Sequence, residues 1–294
     1  MNVHAARTAV EPRPSTGSGL SDADFGRISA LIGTRTGIKL TPSKRMNIET
    51  GLRRRASTLG FDSVDAYCRM VFDGGGLSRE LDAIIHLATT NKTDFFREKA
   101  HYDLLDRSLV PQLLETGSRV GSRRLKVWSA AASNGAEAYT AAIVLAEAAA
   151  RGPRFGFSVL GTDISAEMVA AASRAVYPGN MIDPVPPELK RRYFMQSRER
   201  SASTPVRVVP ELRRFVRFYT LNLIDKSYPV DRDIDVIFLR NVLIYFDAPT
   251  QQAVVRRLAG HVRPGGFLIL GHTEAAIGNT VGLSQVATGV FRVE

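Results

Sequence analysis

Two acidic residues, Glu137 and Asp163, lie close to the ends of apolar runs. The first run leads into the turn "SAAASNGAEAY", and the second ends in "VLGTD", 26 positions beyond Glu137. An acid at the end of the second strand of a Rossmann-type sheet can accept hydrogen bonds from two ribose hydroxyls. We therefore predict that Asp163 binds the ribose of a nucleotide-like cofactor.

The turn before Glu137 argues against a dinucleotide. Pyrophosphate binding needs close backbone approach at several glycines, and this turn offers only Gly135. The Glu137 carboxylate would repel a pyrophosphate but attract an ammonium or sulfonium group. These features favour S-adenosylmethionine (SAM). The alternative is that Glu137 is an ordinary first-turn acid and Asp163 a helix N-cap.

A third apolar run, "IFLRNVLIYFD", stops abruptly at Arg240 and Asn241. Polar groups at the carboxyl end of a central strand line the ligand crevice of an open α/β sheet. Tyr245 follows, where its ring would cover an adenine or guard the transferred methyl group. The alternative is that Tyr245 packs under the next helix.

The stretch "TTNKTDFFRE", residues 89–98, places Asn91, Thr93 and Arg97 beside two phenylalanines. A segment of this kind can fold over a bound ligand, with Arg97 reaching a carboxylate. The alternative is a capping segment in which Thr93 is an N-cap and Phe95 and Phe96 fill the core.

Hydrophobic periodicity predicts two kinds of structure along the chain. Helical spacing dominates the first 85 or so residues, beginning with Ser21 as an N-cap. After Asn91, apolar runs alternate with helical segments, which indicates a doubly wound parallel sheet. The polar, proline-containing stretch from about 184 to 222 interrupts this alternation and is predicted to be a small insert.

Composition limits the possible partners and cofactors. Lys and Arg outnumber Asp and Glu by 39 to 29, which favours an acidic partner. A single cysteine, Cys68, excludes an internal disulfide, and neither a signal peptide nor a run long enough to span a bilayer is recognisable. We expect a cytoplasmic protein. No HxxxH or HExxH pair occurs, so we predict no metal.

Six stretches, taken together and in order, resemble the chemotaxis receptor methyltransferases (CheR). They are "ATTNKTDFFRE", "VWSAAASNGAEAY", "GTDIS", "RRYFMQ", "RNVLIYFDAPTQQAVVRRL" and "RPGGFLILGHTE". The likeness covers roughly residues 20–294 and implies methyl transfer from SAM to glutamate side chains of chemoreceptors. It also implies an α/β, Rossmann-like SAM-dependent methyltransferase fold with an all-helical N-terminal domain and a small inserted antiparallel β-subdomain.

The resemblance completes the predicted organisation. Residues 1–19, rich in Pro, Gly, Ser and Thr, are predicted to form a flexible tail. A helical domain is expected at 20–88, a linker over the active site at 89–100, and the SAM-binding domain at 101–294, with the insert at about 184–222.

The resemblance also implies roles for individual residues. Cofactor contacts fall to Asn91, Thr93, Arg97, Glu137, Asp163, Asn222, Leu223, Arg240 and Asn241. In this set Asn222 and Leu223 flank the adenine. Arg97 and Tyr245 stand near the reacting methyl group. Two alanines, Ala136 and Ala138, replace an acid and a proline that the family usually has around Glu137.

The helix around residues 44–58 is predicted to recognise the substrate. It carries Lys44, Arg45, Arg53, Arg54 and Arg55 against a single acid, Glu49. A basic helix complements the glutamate-rich helical methylation region of a chemoreceptor; the alternative is a solvated charged face. Some family members also grip a receptor's C-terminal pentapeptide through a glycine-rich loop of the insert. The matching "QSRERSASTP" has no glycine, which argues against this contact.

Other functions remain open at this stage. A nucleic-acid methyltransferase would also suit SAM and a basic surface, but the Asn/Asp-Pro-Pro-aromatic motif expected after strand four is replaced by "RNVLIY". A non-catalytic SAM-sensing module and a nicotinamide dehydrogenase are further alternatives. We predict no nucleic-acid partner, no membrane insertion and a monomer.

Overall fold

The computed structural model describes residues 19–89, 91–115, 124–196 and 204–294. Except for Gly19, the tail predicted for residues 1–19 lies outside these ranges. The same is true of residues 197–203, which make up most of "QSRERSASTP". No helix within the described ranges is both long enough and apolar enough to cross a membrane.

Four helices form the N-terminal part of the chain: α1 (Asp22–Thr36), α2 (Arg45–Thr58), α3 (Val64–Phe72) and α4 (Leu77–Ala88). Ser21 caps α1 as predicted, because its side chain accepts a hydrogen bond from the Asp24 backbone N–H. Gly37, with a φ of 73°, ends α1 in the left-handed region that glycine adopts without strain. A 3-10 turn, Pro42–Lys44, then leads into α2.

An ion pair joins helices α2 and α4. Both nitrogens of one edge of Arg55 bond to Glu80, at 2.8 Å from Nε to Oε2 and 2.9 Å from Nη2 to Oε1. The Tyr67 hydroxyl also donates to Glu80, whose side chain is only 7% exposed. Arg55 is only partly exposed and already paired with Glu80, and its predicted contact with the substrate stays a prediction. Its guanidinium is held inside the helical domain by an acid 25 positions away, which the spacing within α2 could not indicate.

Replacing Arg55 with glutamine is expected to lower the free energy of unfolding by about 1–2 kcal/mol, because Glu80 would keep its burial and lose its cation. The hydrogen bond from Arg55 holds the pKa of Glu80 below its ordinary value. The pair's contribution is thus complete above the unfolded-state pKa, near 4.3, and is lost as pH falls through the folded-state pKa. Urea unfolding at pH 7 and pH 3.5 measures the difference in the free energy of unfolding between the wild type and Arg55→Gln, which should be smaller at pH 3.5. Arg54→Gln, an exposed neighbour, is the control, and equal losses in both variants would contradict the prediction.

The rest of the chain is built on a seven-stranded sheet of order β6-β2-β1-β7-β8-β10-β9. Its strands are β1 (Arg124–Ala130), β2 (Gly156–Asp163), β6 (Val216–Thr220), β7 (Ile234–Leu239), β8 (Val262–Leu270), β9 (Ser284–Ala287) and β10 (Val290–Arg292). The first five in spatial order run parallel, and β10 and β9 add antiparallel at one edge. The predicted α/β Rossmann-like fold is confirmed.

Helices cover both faces of the sheet. They are α5 (Lys99–Leu104), α6 (Val110–Glu115), α7 (Ala136–Arg151), α8 (Ala166–Arg174), α11 (Ala248–Ala259) and α12 (Ala275–Thr280), with a π-helical stretch, Leu105–Leu109, between α5 and α6. All six residues of β7 are buried, and its last four, residues 236–239, alternate between two hydrophobic clusters. Val236 and Phe238 join the cluster that includes α7, whereas Ile237 and Leu239 join the one that continues into the N-terminal helices. The helical domain is therefore packed against the sheet domain through a shared core.

A second, three-stranded antiparallel sheet confirms the predicted β-insert but differs in its bounds. Its order is β3-β5-β4, with β3 (Val176–Tyr177), β4 (Phe194–Gln196) and β5 (Val206–Val208); helices α9 (Pro187–Tyr193) and α10 (Pro210–Arg213) accompany it. The predicted range of 184–222 is corrected at both ends. The insert's first strand precedes residue 184, and Val216–Thr220 belongs to the main sheet, where it pairs in parallel with β2.

Candidate active site

A cavity of about 940 Å³, open solvent at its mouth included, lies where the parallel strands β1, β2, β6 and β7 end. This edge is where ligands bind in open α/β sheets. All ten residues predicted for the cofactor and the methyl group line it: Asn91, Thr93, Arg97, Glu137, Asp163, Asn222, Leu223, Arg240, Asn241 and Tyr245. The structure thus brings together residues from five separate stretches of the chain.

The backbone around this cavity is strained at several positions. Phe96, Glu98, Ala131, Ser133 and Asn241 all adopt positive φ values, between 50° and 62°, without being glycine. Each such residue costs free energy that the surrounding structure must offset, and such residues cluster at functional sites. Here they occur in the linker after α4 and in the turns after β1 and β7, so the strain is concentrated at the ligand-binding edge.

Asp163, the last residue of β2, joins two loops of the site. Its Oδ2 accepts the Ser133 backbone N–H at 2.8 Å, and its Oδ1 accepts that of Ser165 at 2.9 Å. Helix α8 is capped by the Ser165 side chain, so the alternative of Asp163 as N-cap is wrong. Burial raises the pKa of Asp163, and the two N–H groups oppose that shift. Each carboxylate oxygen keeps lone-pair capacity for a ribose hydroxyl.

Glu137 faces the cavity from the first turn of α7 and belongs to a charged network. Ser129 donates to its Oε1 at 2.8 Å, and the Arg240 guanidinium lies 3.1 Å from its Oε2. Arg240 is almost fully buried and also contacts Glu98 at 3.2 Å, the Tyr102 hydroxyl at 3.0 Å and the Arg97 carbonyl at 2.5 Å. One buried cation is therefore shared between two carboxylates. Burial raises the pKa of Glu137, and the Arg240 guanidinium opposes that shift. As a carboxylate, Glu137 suits the ammonium or sulfonium group of SAM.

The linker after α4 closes one side of the cavity. The carbonyl of Asn91 accepts a hydrogen bond from Ser133 at 3.0 Å, which ties the linker to the turn after β1. Arg97 donates to the Lys92 carbonyl at 3.0 Å, so its guanidinium stays near the cavity. The interpretation of Phe95 and Phe96 as core residues is confirmed, because both are buried and Phe95 packs edge-on against Tyr177 and Phe194.

The cavity wall that contains Asn222 and Leu223 is shared with the helical domain. Asn222 donates from Nδ2 to the Arg35 carbonyl at 2.7 Å, and its Oδ1 accepts the Ile224 backbone N–H. Its side chain thus anchors the end of α1, while Leu223 presents a buried apolar surface. The predicted adenine contact stays a prediction for both residues.

A buried acid that the sequence analysis did not single out positions the loop after β7. Glu274, in the 3-10 turn His272–Glu274, accepts the backbone N–H groups of Asn241 at 2.8 Å and Leu243 at 2.7 Å. These bonds hold Asn241 in its strained conformation and lead into the 3-10 turn Leu243–Tyr245, which presents Tyr245 to the cavity. An acid four positions after the end of β8, in "LILGHTE", was the available signal.

Glu98, His101 and His272 form a group of possible metal ligands, whose donor atoms lie within 4.8 Å of one another. Burial lowers the pKa of His101 to about 4, so its imidazole is neutral at pH 7. The Arg240 guanidinium, 3.2 Å from Glu98, would repel a cation here. The predicted absence of a metal therefore stays a prediction.

Comparison with known proteins supplies the family. The family model "CheR methyltransferase, SAM binding domain" matches residues 91–290, and "CheR methyltransferase, all-alpha domain" matches residues 23–89. The chain is 38% identical over 255 residues to a chemotaxis protein methyltransferase of Salmonella typhimurium, covering 87% of this chain and 84% of that protein. It is 35% identical over 251 residues to chemotaxis protein methyltransferase 2 of Pseudomonas aeruginosa, covering 85% and 86%. The chain belongs to the CheR methyltransferase family and is a SAM-dependent methyltransferase.

Proposed function

We propose that the protein transfers the methyl group of SAM to glutamate side-chain carboxylates of chemoreceptors, giving glutamate methyl esters and S-adenosylhomocysteine. The observation that carries this proposal is the convergence of the ten predicted residues on one cavity in a chain of this family. In this assignment Glu137 faces the methionine amino group, Asp163 holds the ribose, and Asn91 and Thr93 close over the cofactor.

The reaction is an in-line displacement at the methyl carbon. A carboxylate oxygen forms the new O–CH₃ bond with one of its electron pairs, and the S–CH₃ bonding pair stays on sulfur. The nucleophile is already ionised near neutral pH, because the pKa of a glutamate is about 4.3. No general base is needed, so the site has to orient the carboxylate and exclude water. We propose that Arg97 orients the glutamate carboxylate and that the Tyr245 ring shapes the path of the methyl group. Both residues line the cavity.

The proposed partner is the cytoplasmic helical methylation region of a chemoreceptor. Helix α2 offers Arg53 and Arg54, both exposed, although Arg53 is paired with Glu49 at 2.8 Å. We propose that these two arginines meet the glutamate-rich face of the receptor helix, in a cytoplasmic monomer that binds no nucleic acid. Without a glycine in "QSRERSASTP", the insert is not assigned a receptor pentapeptide.

Reversing the charge of Arg53 and Arg54 together, to glutamate, is expected to raise the KM for receptor about tenfold, since attraction to an acidic face becomes repulsion. Affinity for S-adenosylhomocysteine should stay within about twofold, because neither residue lines the cavity. Initial rates against receptor concentration and calorimetric titration provide the two readouts. The matched control reverses Arg154 and Arg232, which are also exposed, and an equal rise in KM there would reject α2 as the docking surface.

The decisive experiment supplies SAM carrying a tritiated methyl group to the purified protein together with membranes from its own cell. Label that appears in protein and is released by alkali as methanol supports a glutamate ester. Label in RNA or DNA would identify a nucleic-acid methyltransferase. Binding of SAM without any transfer would identify a sensing module. Both of the latter outcomes contradict the proposal.

A further inference from the structure

Lys44 lies in the cavity, although the sequence analysis grouped it with the surface arginines of the docking helix. It is the last residue of the 3-10 turn Pro42–Lys44, immediately before α2. Its side chain lines the cavity, and its Nζ lies 4.3 Å from the centroid of the Tyr245 ring. That separation is typical of a cation–π contact. The helical domain therefore contributes a cation to the site beside the residue assigned to the methyl's path.

The ammonium of Lys44 has no hydrogen-bond partner among the residues that the structure describes, and its Nζ is buried. An ammonium has three donors, and burying one unpaired is costly. Burial accordingly lowers the pKa of Lys44. Other lysines face carboxylates, as Lys39 does at 3.5 Å from Asp247 and Lys126 at 2.8 Å from Asp231. An anion that enters the cavity would supply the partner that Lys44 lacks among the described residues.

The segment that carries Lys44 is fixed against the sheet domain on both sides of the turn after α1. Asn222 holds the Arg35 carbonyl at 2.7 Å, and the Lys39 backbone N–H donates to the Tyr245 carbonyl at 3.2 Å. The second bond joins the Lys44 segment directly to the turn that presents Tyr245. The ammonium is therefore positioned before any ligand binds, which lowers the entropic cost of using it.

Two carboxylates come to this site in the proposed reaction, that of the methionine part of SAM and that of the glutamate. The charged network of Glu137 and Arg240 is deeply buried, with side chains 12% and 1% exposed. Lys44 and Tyr245 are only partly buried and belong to the side of the cavity from which α2 begins. Helix α2, which begins directly after Lys44, also carries the exposed Arg53 and Arg54. Of these two carboxylates, that of the glutamate fits the position of Lys44 better, because Lys44 lies over Tyr245, the residue assigned to the path of the methyl group.

We propose that Lys44 is a substrate-binding residue whose ammonium, held over the Tyr245 ring, pairs with the carboxylate of the methyl-accepting glutamate. This inference rests on the proposed function and deepens it. One carboxylate oxygen pairs with Lys44 while the other faces the methyl group. Methylation converts the anion into a neutral ester, so the ion pair is lost in the product and release of the methylated side chain is favoured.

Replacing Lys44 with methionine keeps most of the side-chain volume and removes the charge. The KM for receptor is expected to rise about tenfold, with kcat changing less than about threefold, because the ion pair is strongest before charge is neutralised. Affinity for S-adenosylhomocysteine, measured by calorimetry, should stay within about twofold. Release of S-adenosylhomocysteine gives the rates. Lys44→Arg keeps the positive charge and should therefore show a smaller rise in KM than Lys44→Met.

The matched control is Lys39→Met, which removes the same charge from the same segment at a side chain that is 70% exposed. It should leave KM within about twofold. An unchanged KM in a folded Lys44→Met protein would overturn the proposal, and so would a parallel loss of S-adenosylhomocysteine affinity, which would assign Lys44 to the cofactor. Methyl ester formation by the wild-type protein is measured in the same assay, so failure of the proposed function is distinguished from failure of this inference.

Discussion

Asp163→Ala is expected to weaken the binding of S-adenosylhomocysteine about 100-fold. The substitution removes the acceptor that we propose for two ribose hydroxyls, and each hydrogen bond to a charged group is worth about 1.5–3 kcal/mol. It also releases the backbone N–H groups of Ser133 and Ser165, which hold the turns after β1 and β2 against Asp163. A combined loss near 3 kcal/mol corresponds to about two powers of ten in the dissociation constant. Calorimetric titration measures it.

The control for this prediction is Asp183→Ala, an acid in the same domain whose side chain is 76% exposed. The dissociation constant of Asp183→Ala for S-adenosylhomocysteine should match that of the wild type. Thermal unfolding of both variants checks that the fold survives. A folded Asp163→Ala protein that binds S-adenosylhomocysteine within about threefold of the wild type would show that the carboxylate serves only the loops. The ribose assignment would then be wrong.

The sequence predicted the composition of the cavity well because parallel strands end at one edge of a sheet. Glu137, Asp163 and Arg240 each come shortly after an apolar run, and the connectivity of the fold then forces them together. The residue types could not predict which of these charged side chains form ion pairs with one another. Arg240 contacts both Glu137 and Glu98, so its role as a neutralising cation emerges only from positions about 100 and 140 residues apart.

The insert shows why element boundaries were harder to predict. Strand β6 has exposed Arg217 and Tyr219 alternating with partly or fully buried residues, which is the pattern of a half-solvated antiparallel strand. It nevertheless pairs in parallel with β2, because it lies at the edge of the main sheet. Only two residues form β3, too few for a recognisable pattern. The periodicity therefore predicted a half-exposed strand correctly, but it could not show that β6 pairs with β2.

Contacts between the two domains could not be predicted from the sequence either. Lys44 and Arg55 occur in one basic stretch, yet one lines the cavity and the other pairs with Glu80 in the helical core. The direction of each side chain depends on where α2 begins after the Pro42–Lys44 turn. The strained residues Phe96 and Glu98 carry no glycine-like signal. Their conformations are imposed by packing, as Phe96 shows by donating its backbone N–H to Thr140.

Arg97→Ala is expected to lower kcat about 100-fold and, because Arg97 is also predicted to contact the cofactor, to weaken the binding of S-adenosylhomocysteine by a smaller factor, about tenfold. Loss of orientation at the reacting carboxylate is sufficient for an effect of this size. The bond from Arg240 goes to the Arg97 backbone carbonyl, so alanine preserves the charged network beneath the site. Single-turnover methyl transfer at saturating receptor measures the chemical step.

Arg154→Ala removes an exposed guanidinium far from the lining of the cavity and serves as the control for Arg97→Ala, with an expected kcat equal to that of the wild type. Arg97→Lys tests whether charge alone suffices, because an ammonium lacks the planar fork of a guanidinium. The assigned roles separate Arg97 from Lys44: loss of Arg97 lowers kcat, and loss of Lys44 raises KM. Near-normal turnover of Arg97→Ala with intact cofactor affinity would remove Arg97 from the mechanism and leave Lys44 as the cation that meets the substrate.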